Sequence, residues 1–367
     1  MRVGFDVTSL LDRRTGVGAF TSEVLTRIAV HDGIDVTAYS VSWRGRGGAV
    51  AEQLPPGVRL STRPMAAQPL RQLWRRADWP PITWWTGKVD IVHGPNFVVP
   101  PAPGANELMT VHDLTFVHHP ELCTRDTLQY PGLIRRALHR GAHVHAVSDF
   151  VASEVVDVFG ADPERVHVVA NGVDVVEAGD PARGRSLAGG DRYVLALGTI
   201  EPRKDFPLLV AAFDDVAAAD RDVRLVIAGQ DGWGVEALNA ALERARHRDR
   251  VTRTGFVTDR ERADLLAGAA VFAYPSRYEG FGLPPLEAMA AGTAVVTTRA
   301  GALPQVLGDA AAFVEPGDQD ALSGTLADLL QDPAARDALV AKGRSRVAQY
   351  SWDACAEGVV RLYQRLC

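Results

Sequence analysis

Residues 276–292 read Ser-Arg-Tyr-Glu-Gly-Phe-Gly-Leu-Pro-Pro-Leu-Glu-Ala-Met-Ala-Ala-Gly, and they stand between two short apolar runs, at 270–274 and 293–298. Each run predicts a buried strand, because a short apolar run bounded by turn signals is typical of strands covered on both faces. The turn signals come from the stretch itself, which carries two glycines and two prolines between its two glutamates. The stretch therefore joins two buried strands.

The middle of this stretch carries the signals of a short helix. Pro284 and Pro285 suit a first helical turn, where a missing N–H costs nothing. Gly292 suits the end of the helix. We therefore predict a helix over 283–291, with Glu279 in the loop before it.

Two carboxylates flank the N-terminus of this helix, since Glu287 lies about one turn inside it and Glu279 precedes it. A helix N-terminus attracts anions such as a diphosphate. Carboxylates beside a phosphate make sense only if they bind hydroxyls, and a sugar nucleotide has hydroxyls on both sides of its diphosphate. The alternative is a helix cap plus a surface carboxylate.

The pair resembles the Glu-x7-Glu signature of family GT4, whose members are retaining glycosyltransferases with the GT-B fold. The resemblance implies that Glu279 lies near the donor sugar and diphosphate, and that Glu287 binds the nucleotide ribose. It also implies donor contacts from the residues between them: Gly280, Phe281, Gly282 and Leu283.

The composition indicates a globular chain of two domains, with 367 residues, 47% hydrophobic and 23% charged. A net charge of −6 gives no reason to expect nucleic-acid binding. Three scattered cysteines form no metal or disulfide pattern and fit a reducing cytosol. Without an apolar leader or an apolar stretch of about 18 residues, we expect a cytoplasmic protein.

A second glycine-containing segment follows the first predicted strand, at 2–7. Gly16 and Gly18 lie in a predicted loop before a helix that runs through Ala29. Thr21 stands where a dinucleotide fingerprint needs its third glycine, which disfavours a nicotinamide dehydrogenase. In GT4 enzymes a glycine loop here lies close to the donor diphosphate and the acceptor. The alternative is a tight strand-to-helix turn.

Residues 44–88 combine arginines and tryptophans with prolines, and the GT4 resemblance covers them poorly. The tryptophans suit packing of a helix onto the sheet. An acceptor wall and docking at the inner face of a membrane are the other interpretations.

His112 directly follows the predicted strand that begins at Leu108. Ligands of open α/β sheets collect at the carboxyl ends of strands. A lone histidine is more often structural, but His112-Asp113-Leu114 resembles a segment of GT4 mannosyl- and rhamnosyltransferases. The resemblance implies that His112 faces the donor sugar.

The segment Gly198 to Asp205 again follows a strand and precedes a helix, and it carries adjacent cations, Arg203 and Lys204. Two neighbouring cations repel each other, so an anion between them explains the pairing. The alternative is a solvated pair balanced by Glu201 and Asp205. The segment resembles the family's Glu-Pro-Arg-Lys-Asn, with Asp205 in place of Asn, and the family's Arg and Lys hold the diphosphate.

The resemblance also extends to the domain boundaries. Asn-Gly-Val-Asp at 171–174 matches the end of the N-terminal domain in GT4 chains, which implies an acceptor-side domain over 1–174. Residues 175–191 have little periodicity and predict a linker, followed by a nucleotide-sugar-binding domain over 192–352. In GT-B folds a terminal helix, here 353–367, returns to the first domain.

Phe256, in the segment Gly-Phe-Val, resembles the part of the family that holds the nucleobase through its backbone. Both halves alternate strands and helices, so we expect an α/β GT-B fold with two doubly wound, Rossmann-like domains facing a cleft. No Asp-x-Asp metal motif is evident, so we expect no metal and no cofactor besides the nucleotide-sugar donor.

The expected activity is retaining transfer of a hexose to a hydroxyl of a glycan or lipid-linked acceptor. The expected donor is GDP-mannose, with UDP-, dTDP- and ADP-sugars as alternatives. The sequence leaves two other activities open: a sugar-nucleotide epimerase of the same fold, and a non-catalytic nucleotide-sugar-binding relative. It does not indicate an oligomeric state.

Overall fold

The structure is a computed structural model of the chain, and it describes all residues except 12–14, 43–47, 62, 64 and 174–178. The chain divides into two compact units. The first contains residues 1–172 and 352–367, and the second contains residues 173–351.

The first unit is built on a parallel sheet, which in the described residues has seven strands in the order β3-β2-β1-β4-β5-β6-β7. Its central strands β1 and β4 are largely buried, as a sheet covered by helices on both faces requires. The strands are β1 (Arg2–Asp6), β2 (Asp35–Tyr39), β3 (Arg59–Leu60), β4 (Ile91–Gly94), β5 (Asn106–Val111), β6 (His143–Ala146) and β7 (Val166–Val168).

Helices connect these strands in the alternating pattern of a doubly wound sheet. They are α1 (Gly16–Ile28), α2 (Gly48–Ala51), α3 (Ala67–Arg76), α4 (Thr83–Thr86), α5 (Thr115–His118), α6 (Tyr130–His139) and α7 (Asp149–Phe159). The C-terminal helix, Trp352–Leu366, also belongs to this unit and packs against α1. Inside the unit, the Tyr363 hydroxyl lies 2.6 Å from Nδ1 of the buried His93 on β4.

The second unit contains a parallel sheet of six strands in the described residues, in the order β10-β9-β8-β11-β12-β13. The strands are β8 (Arg192–Leu197), β9 (Val223–Ala228), β10 (Val251–Gly255), β11 (Val271–Tyr274), β12 (Val295–Thr298) and β13 (Ala312–Val314). The helices are α8 (Pro181–Ala188), α9 (Phe206–Ala219), α10 (Val235–Arg244), α11 (Asp259–Gly268), α12 (Leu283–Ala290), α13 (Leu303–Leu307), α14 (Gln319–Gln331) and α15 (Pro333–Val347).

Each sheet has one place where the strand order reverses. In the first unit β1 pairs with both β2 and β4, and in the second β8 pairs with both β9 and β11. Loops at such a reversal leave in opposite directions and open a crevice at the carboxyl ends of the strands, where doubly wound domains bind ligands. We therefore expect a ligand-binding site among the residues that follow β1 and β4, or among those that follow β8 and β11.

The structure corrects the predicted glycine loop before α1. The helix begins at Gly16, so both Gly16 and Gly18 lie in its first turn and not in a loop. The reason is the cap at Thr15, whose side chain accepts a hydrogen bond from the Gly18 N–H. A Cβ at position 18 would lie 3.3 Å from the Ser9 carbonyl oxygen, so the second glycine also allows a close approach.

The predicted linker over 175–191 is also wrong in part, because residues 181–188 form α8, which packs against α11. Asp180 caps this helix by accepting from the Ala182 N–H. Residues 175–178 of the predicted linker lie outside the described residues.

The tryptophans between 44 and 88 divide between two environments. Trp74 on α3 is buried, as a helix packed on the sheet requires. Trp79 and Trp84 are about half exposed, and their rings lie 5.4 Å apart. Arg44 and Arg46, which belong to the same predicted surface, lie outside the described residues.

Candidate functional site

The site in the second unit starts at the end of β8. Gly198 has φ +143°, and a Cβ there would lie 2.6 Å from Cε of Lys204. Glycine is favoured here because other residues rarely adopt this φ, and the Lys204 side chain passes directly over the backbone. Residues 202–204 form one 3₁₀ turn that returns Lys204 to the strand end.

Asp205 follows this turn in the left-handed region, with φ +48°. Asn and Asp tolerate this conformation better than other side-chain-bearing residues. The Asp205 carboxylate accepts a 2.7 Å hydrogen bond from Nε of Arg277, in the loop after β11. This ion pair joins the two loops at the strand-order reversal.

Glu279 lies in the loop between β11 and α12, and it is nearly buried. Its Oε1 atom lies 2.5 Å from Nη1 of Arg203, and accepts hydrogen bonds from the Tyr274 hydroxyl at 2.7 Å and the Ser276 hydroxyl at 2.9 Å. Among the described residues, the other oxygen, Oε2, accepts no hydrogen bond. One carboxylate oxygen is thus fixed, and the other is left for a ligand.

Arg203 and Lys204 are both part of this cluster. Arg203 Nη2 donates to Glu201 at 2.7 Å, and Lys204 Nζ donates to the Tyr274 hydroxyl at 2.8 Å. Lys204 is 7% exposed, so the alternative of a solvated cation pair is wrong. That alternative expected Glu201 and Asp205 to balance the two cations. Glu201 does pair with Arg203, but Asp205 pairs with Arg277.

The charges of the cluster decide the protonation of Glu279. Burial alone would raise the pKa of the Glu279 carboxyl, but the charges of Arg203 and Lys204 hold it at about 2. The neighbouring Tyr274 hydroxyl has a pKa raised well above its ordinary value, first by burial and then by the charge of Glu279. Glu279 is therefore an ionised acceptor and Tyr274 a neutral donor at every physiological pH.

The N-terminus of α12 lies directly after Glu279. Within the described part of the chain, the N–H groups of Phe281, Gly282 and Leu283 donate no hydrogen bond. Phe281 and Gly282 are buried, and buried N–H groups normally have partners. Three unpaired donors in a row at a helix N-terminus form a cradle for an anion such as a phosphate.

Glu287 and Phe256 complete the predicted residues of this unit. Glu287 lies on α12 and accepts a 2.7 Å hydrogen bond from Nη1 of Arg262 on α11. Phe256 directly follows β10 and is about half exposed. Glu287 thus lies inside the predicted helix, and Phe256 lies directly after strand β10. Neither side chain belongs to the Glu279 cluster.

His112 follows β5 in the first unit, as predicted. Its Nε2 atom lies 2.7 Å from the Pro95 carbonyl oxygen, which can only accept, so Nε2 carries the proton. Burial lowers the pKa of His112, against the hydrogen bond to Pro95. The ring is therefore neutral, and Nδ1, which has no partner among the described residues, is an acceptor.

Phe20 on α1 connects His112 to the glycines of that helix. Its ring lies 5.2 Å from the His112 ring, edge to face, and it is fully buried. The first turn of α1, with Gly16 and Gly18, is thereby fixed beside the carboxyl end of β5.

Sequence reasoning missed three residues of the Glu279 cluster. Tyr274 and Ser276 flank the end of β11, and a polar residue at the end of an apolar strand was the available signal. Gly301 was the third: with φ +57°, a Cβ there would lie 2.2 Å from the Glu279 carbonyl oxygen. Only glycine lets this loop approach Glu279 so closely.

Two families of known proteins match the chain. The family described as glycosyl transferases group 1 matches residues 182–346, and glycosyltransferase family 4 matches residues 15–177. O-antigen chain mannosyltransferase B of Escherichia coli is 28% identical, with 100% of both chains covered. A D-inositol 3-phosphate glycosyltransferase of Frankia alni is 32% identical, with 77% of this chain and 72% of the relative covered.

Solved structures agree on the fold. The crystal structure of Anabaena Alr3699/HepE in complex with UDP and glucose has a TM-score of 0.77 and 17% identity, with 100% of both chains covered. With two doubly wound parallel sheets in sequence, this likeness confirms the predicted α/β fold of the GT-B class. No helix in the described residues is both long and apolar enough to cross a bilayer.

Proposed function

The chain belongs to family 4 of the glycosyltransferases, and from this membership we propose that it transfers mannose from GDP-mannose to a hydroxyl of a glycan or lipid-linked glycan, with retention of the anomeric configuration. That it is a glycosyltransferase using a nucleotide-sugar donor follows from the family. The donor sugar, the acceptor and the stereochemistry are the proposal.

The observation that supports the proposal is that one loop cluster holds a cation pair, a carboxylate with one oxygen engaged, and a row of backbone N–H groups at a helix N-terminus. Arg203 and Lys204 face Glu279, whose Oε2 atom has no described donor. The N–H groups of Phe281 to Leu283 follow directly in the chain. A diphosphate suits the cations and the N–H groups, and a sugar hydroxyl suits the free carboxylate oxygen.

Departure of the nucleoside diphosphate is the step that this arrangement assists. Negative charge develops on the leaving phosphate as the sugar–oxygen bond breaks, and fixed donors that face it lower the barrier. Arg203, Lys204 and the first turn of α12 would supply those donors. The sequence offers no convincing nucleophile for the opposite face of the sugar, so the proposed attack of the acceptor hydroxyl is from the face of the leaving group.

The remaining assigned residues would hold the two ends of the donor. Glu287 on α12 would accept hydrogen bonds from the ribose, in exchange with its present partner Arg262. The backbone at Phe256 would meet the nucleobase. His112, neutral with Nδ1 as an acceptor, would meet a hydroxyl of the transferred sugar.

Mannose is preferred because a relative named as a mannosyltransferase, from Escherichia coli, matches this chain over its whole length. GDP is proposed as the nucleotide of that mannose donor. A thermal-shift screen with GDP-, UDP-, dTDP- and ADP-sugars tests this choice, since a ligand that binds the native state raises its apparent stability. We expect the largest rise in melting temperature with GDP-mannose. A larger rise with another sugar nucleotide would replace the donor, and no rise with any of them would remove the proposal.

A further inference from the structure

A ring contact connects the candidate site to the last residues of the second unit. The Phe281 ring meets the Tyr350 ring edge to face, with centroids 5.5 Å apart and an interplanar angle of 88°. Phe281 is buried, and it is the first of the three residues, with Gly282 and Leu283, whose N–H groups form the anion cradle before α12. Tyr350 therefore packs on one residue of the cradle.

Arg346, near the end of α15, holds the Tyr350 side chain in place. Its Nη2 atom donates to the Tyr350 hydroxyl at 3.1 Å, and its guanidinium carbon lies over the Tyr350 ring, 5.5 Å from the centroid. A cation over an aromatic face is attracted by the negative charge of that face. Arg346 thus fixes both the hydroxyl and the ring of Tyr350.

The same two side chains cap the C-terminal end of α13. The last carbonyl groups of a helix have no partner inside it. Arg346 Nε donates to the Val306 carbonyl oxygen at 2.7 Å, and Nη2 donates to the Gln305 carbonyl oxygen at 2.5 Å. The Tyr350 hydroxyl donates to the Val306 carbonyl oxygen at 3.2 Å. Because α13 has only five residues, it depends on such outside contacts for its stability and its place.

The other end of α13 lies against the candidate site. The Ala302 N–H, directly before α13, donates to the Glu279 carbonyl oxygen at 2.8 Å. Leu303, the first residue of α13, is fully buried, and a Cβ at Gly282 would lie 2.5 Å from its Cδ2 atom. Close-packed groups transmit displacements to their neighbours. A shift of α13 would therefore move both Glu279 and the cradle.

We propose that Arg346 and Tyr350 are positioning residues for the donor diphosphate, which hold the cradle in the geometry that meets the phosphate oxygens. The proposal rests on the proposed function, because it takes the cradle as the diphosphate site. Tyr350 acts through the Phe281 ring, and Arg346 acts through Tyr350 and α13, so neither side chain need touch the ligand. Donors stabilise an anion most when they are already aimed at it.

Arg336, near the start of α15, provides a matched control. It makes the same kind of cap at a different helix, because its Nη1 atom donates to the carbonyl oxygens of Leu329 and, at 3.1 Å, of Leu330 on α14. Arg336→Gln and Arg346→Gln therefore each remove an arginine of α15 from the end of a neighbouring helix. They differ in whether that helix lies against the cradle.

The Phe281 amide is the reporter for the test. In protein labelled with ¹⁵N-phenylalanine, its signal is identified by its loss in Phe281→Leu. Inorganic pyrophosphate, added to tens of millimolar, is the probe, because it supplies the diphosphate without a nucleoside or a sugar. The signals of the other phenylalanines, unchanged, show that each variant is folded.

We expect pyrophosphate to shift the Phe281 signal of the wild-type protein in a saturable way. Tyr350→Leu removes the ring contact and should weaken this binding roughly tenfold, the upper range for one aromatic pair. Tyr350→Phe retains the ring and should bind within about threefold of wild type, since it loses one neutral hydrogen bond to Val306. Arg346→Gln should weaken binding as Tyr350→Leu does, while Arg336→Gln should leave it unchanged.

Three results would overturn the positioning role. They are no pyrophosphate shift in the wild type, equal affinity in wild type, Tyr350→Leu and Arg346→Gln, and an equal loss in Arg346→Gln and Arg336→Gln. Transfer of mannose from GDP-mannose by the wild-type protein separates this failure from that of the proposed function. Transfer without a Tyr350-dependent shift removes the positioning role alone, while a Tyr350-dependent shift without transfer removes mannosyl transfer alone.

Discussion

Arg203 Nη1 lies 2.5 Å from Oε1 of Glu279, and both side chains are largely buried between the loops that follow β8 and β11. The two residues are 76 positions apart in the chain, and the pairing of β8 with β11 brings them together. A buried carboxylate of this kind is stable only while its cations are present. The pair therefore ties the charge of the candidate site to the strand-order reversal of the second sheet.

Lys204→Met removes the second cation of the cluster and retains most of the apolar stem. We expect turnover to fall by about two orders of magnitude, or about 3 kcal/mol in activation free energy. The matched control is Arg299→Met, which removes a cation from a half-exposed pair with Glu315. Steady-state kinetics of both variants measure the turnover. Wild-type turnover in Lys204→Met would contradict a catalytic role and leave this lysine a structural one.

Glu287→Gln tests the ribose contact. If Glu287 binds the ribose, the affinity for the nucleoside diphosphate should fall by about 1–3 kcal/mol, the range for a lost charged hydrogen bond. Arg262→Gln removes the present partner of Glu287 and leaves its carboxylate free, so this control should bind the nucleotide at least as well as wild type. Calorimetric titration with GDP measures both, and equal affinities in wild type and Glu287→Gln would place the ribose elsewhere.

His112→Ala tests the contact with the transferred sugar. The proposed partner of Nδ1 is a sugar hydroxyl, so GDP affinity should stay within about twofold while transfer falls about a hundredfold. Phe97→Leu is a packing control, because the Phe97 ring also lies edge to face with His112, at 5.7 Å. Loss of nucleotide binding and transfer by the same factor would contradict the role of this histidine.

Asp6→Asn should change stability in a pH-dependent way. Burial in the folded state raises the pKa of Asp6 to about 6, so the native protein holds this proton more tightly than the unfolded chain. Stability therefore falls as pH rises from about 4 to about 6, and Asp6→Asn should be more stable by about 1–3 kcal/mol at about pH 8. Below about pH 4 the difference should disappear.

Urea denaturation of wild type, Asp6→Asn and Asp35→Asn at about pH 4 and about pH 8 measures this effect. Asp35 is half exposed and should show no such gain at the higher pH. If Asp6→Asn is less stable than wild type at both pH values, the ionised carboxylate stabilises the fold. Its burial would then not lower the free energy of unfolding, which would contradict the prediction.

Most elements of the second sheet could be predicted because their signals are local. The apolar runs around β11 and β12 and the two prolines of α12 lie in the sequence itself. The helix α8 was expected to be part of a linker because its eight residues show no apolar periodicity, although Asp180 and Pro181 supply a local start signal. In the structure it packs on α11. A Cβ at Gly184 would lie 2.0 Å from the Asp264 carbonyl oxygen, so this glycine serves a close tertiary contact and not a flexible linker.

The same division holds for the candidate site. Arg203, Lys204 and Glu279 belong to short motifs, and a resemblance finds them. The roles of Tyr274 and Arg262 depend on contacts across the sheet and between α11 and α12, which no local pattern encodes. Likewise, Gly16 and Gly18 were expected in a loop because a glycine pair favours one, but the cap at Thr15 extends α1 over both.

The proposed reaction is retaining mannosyl transfer at the Arg203–Glu279 cluster. The most direct test incubates the protein with GDP-mannose labelled with ¹³C at the anomeric carbon and with methyl α-mannopyranoside, and follows the product by NMR. We expect an α-linked mannoside formed together with GDP, and a rate lower by about two orders of magnitude in Arg203→Ala. A β-linked product, or undiminished transfer by Arg203→Ala, would contradict it.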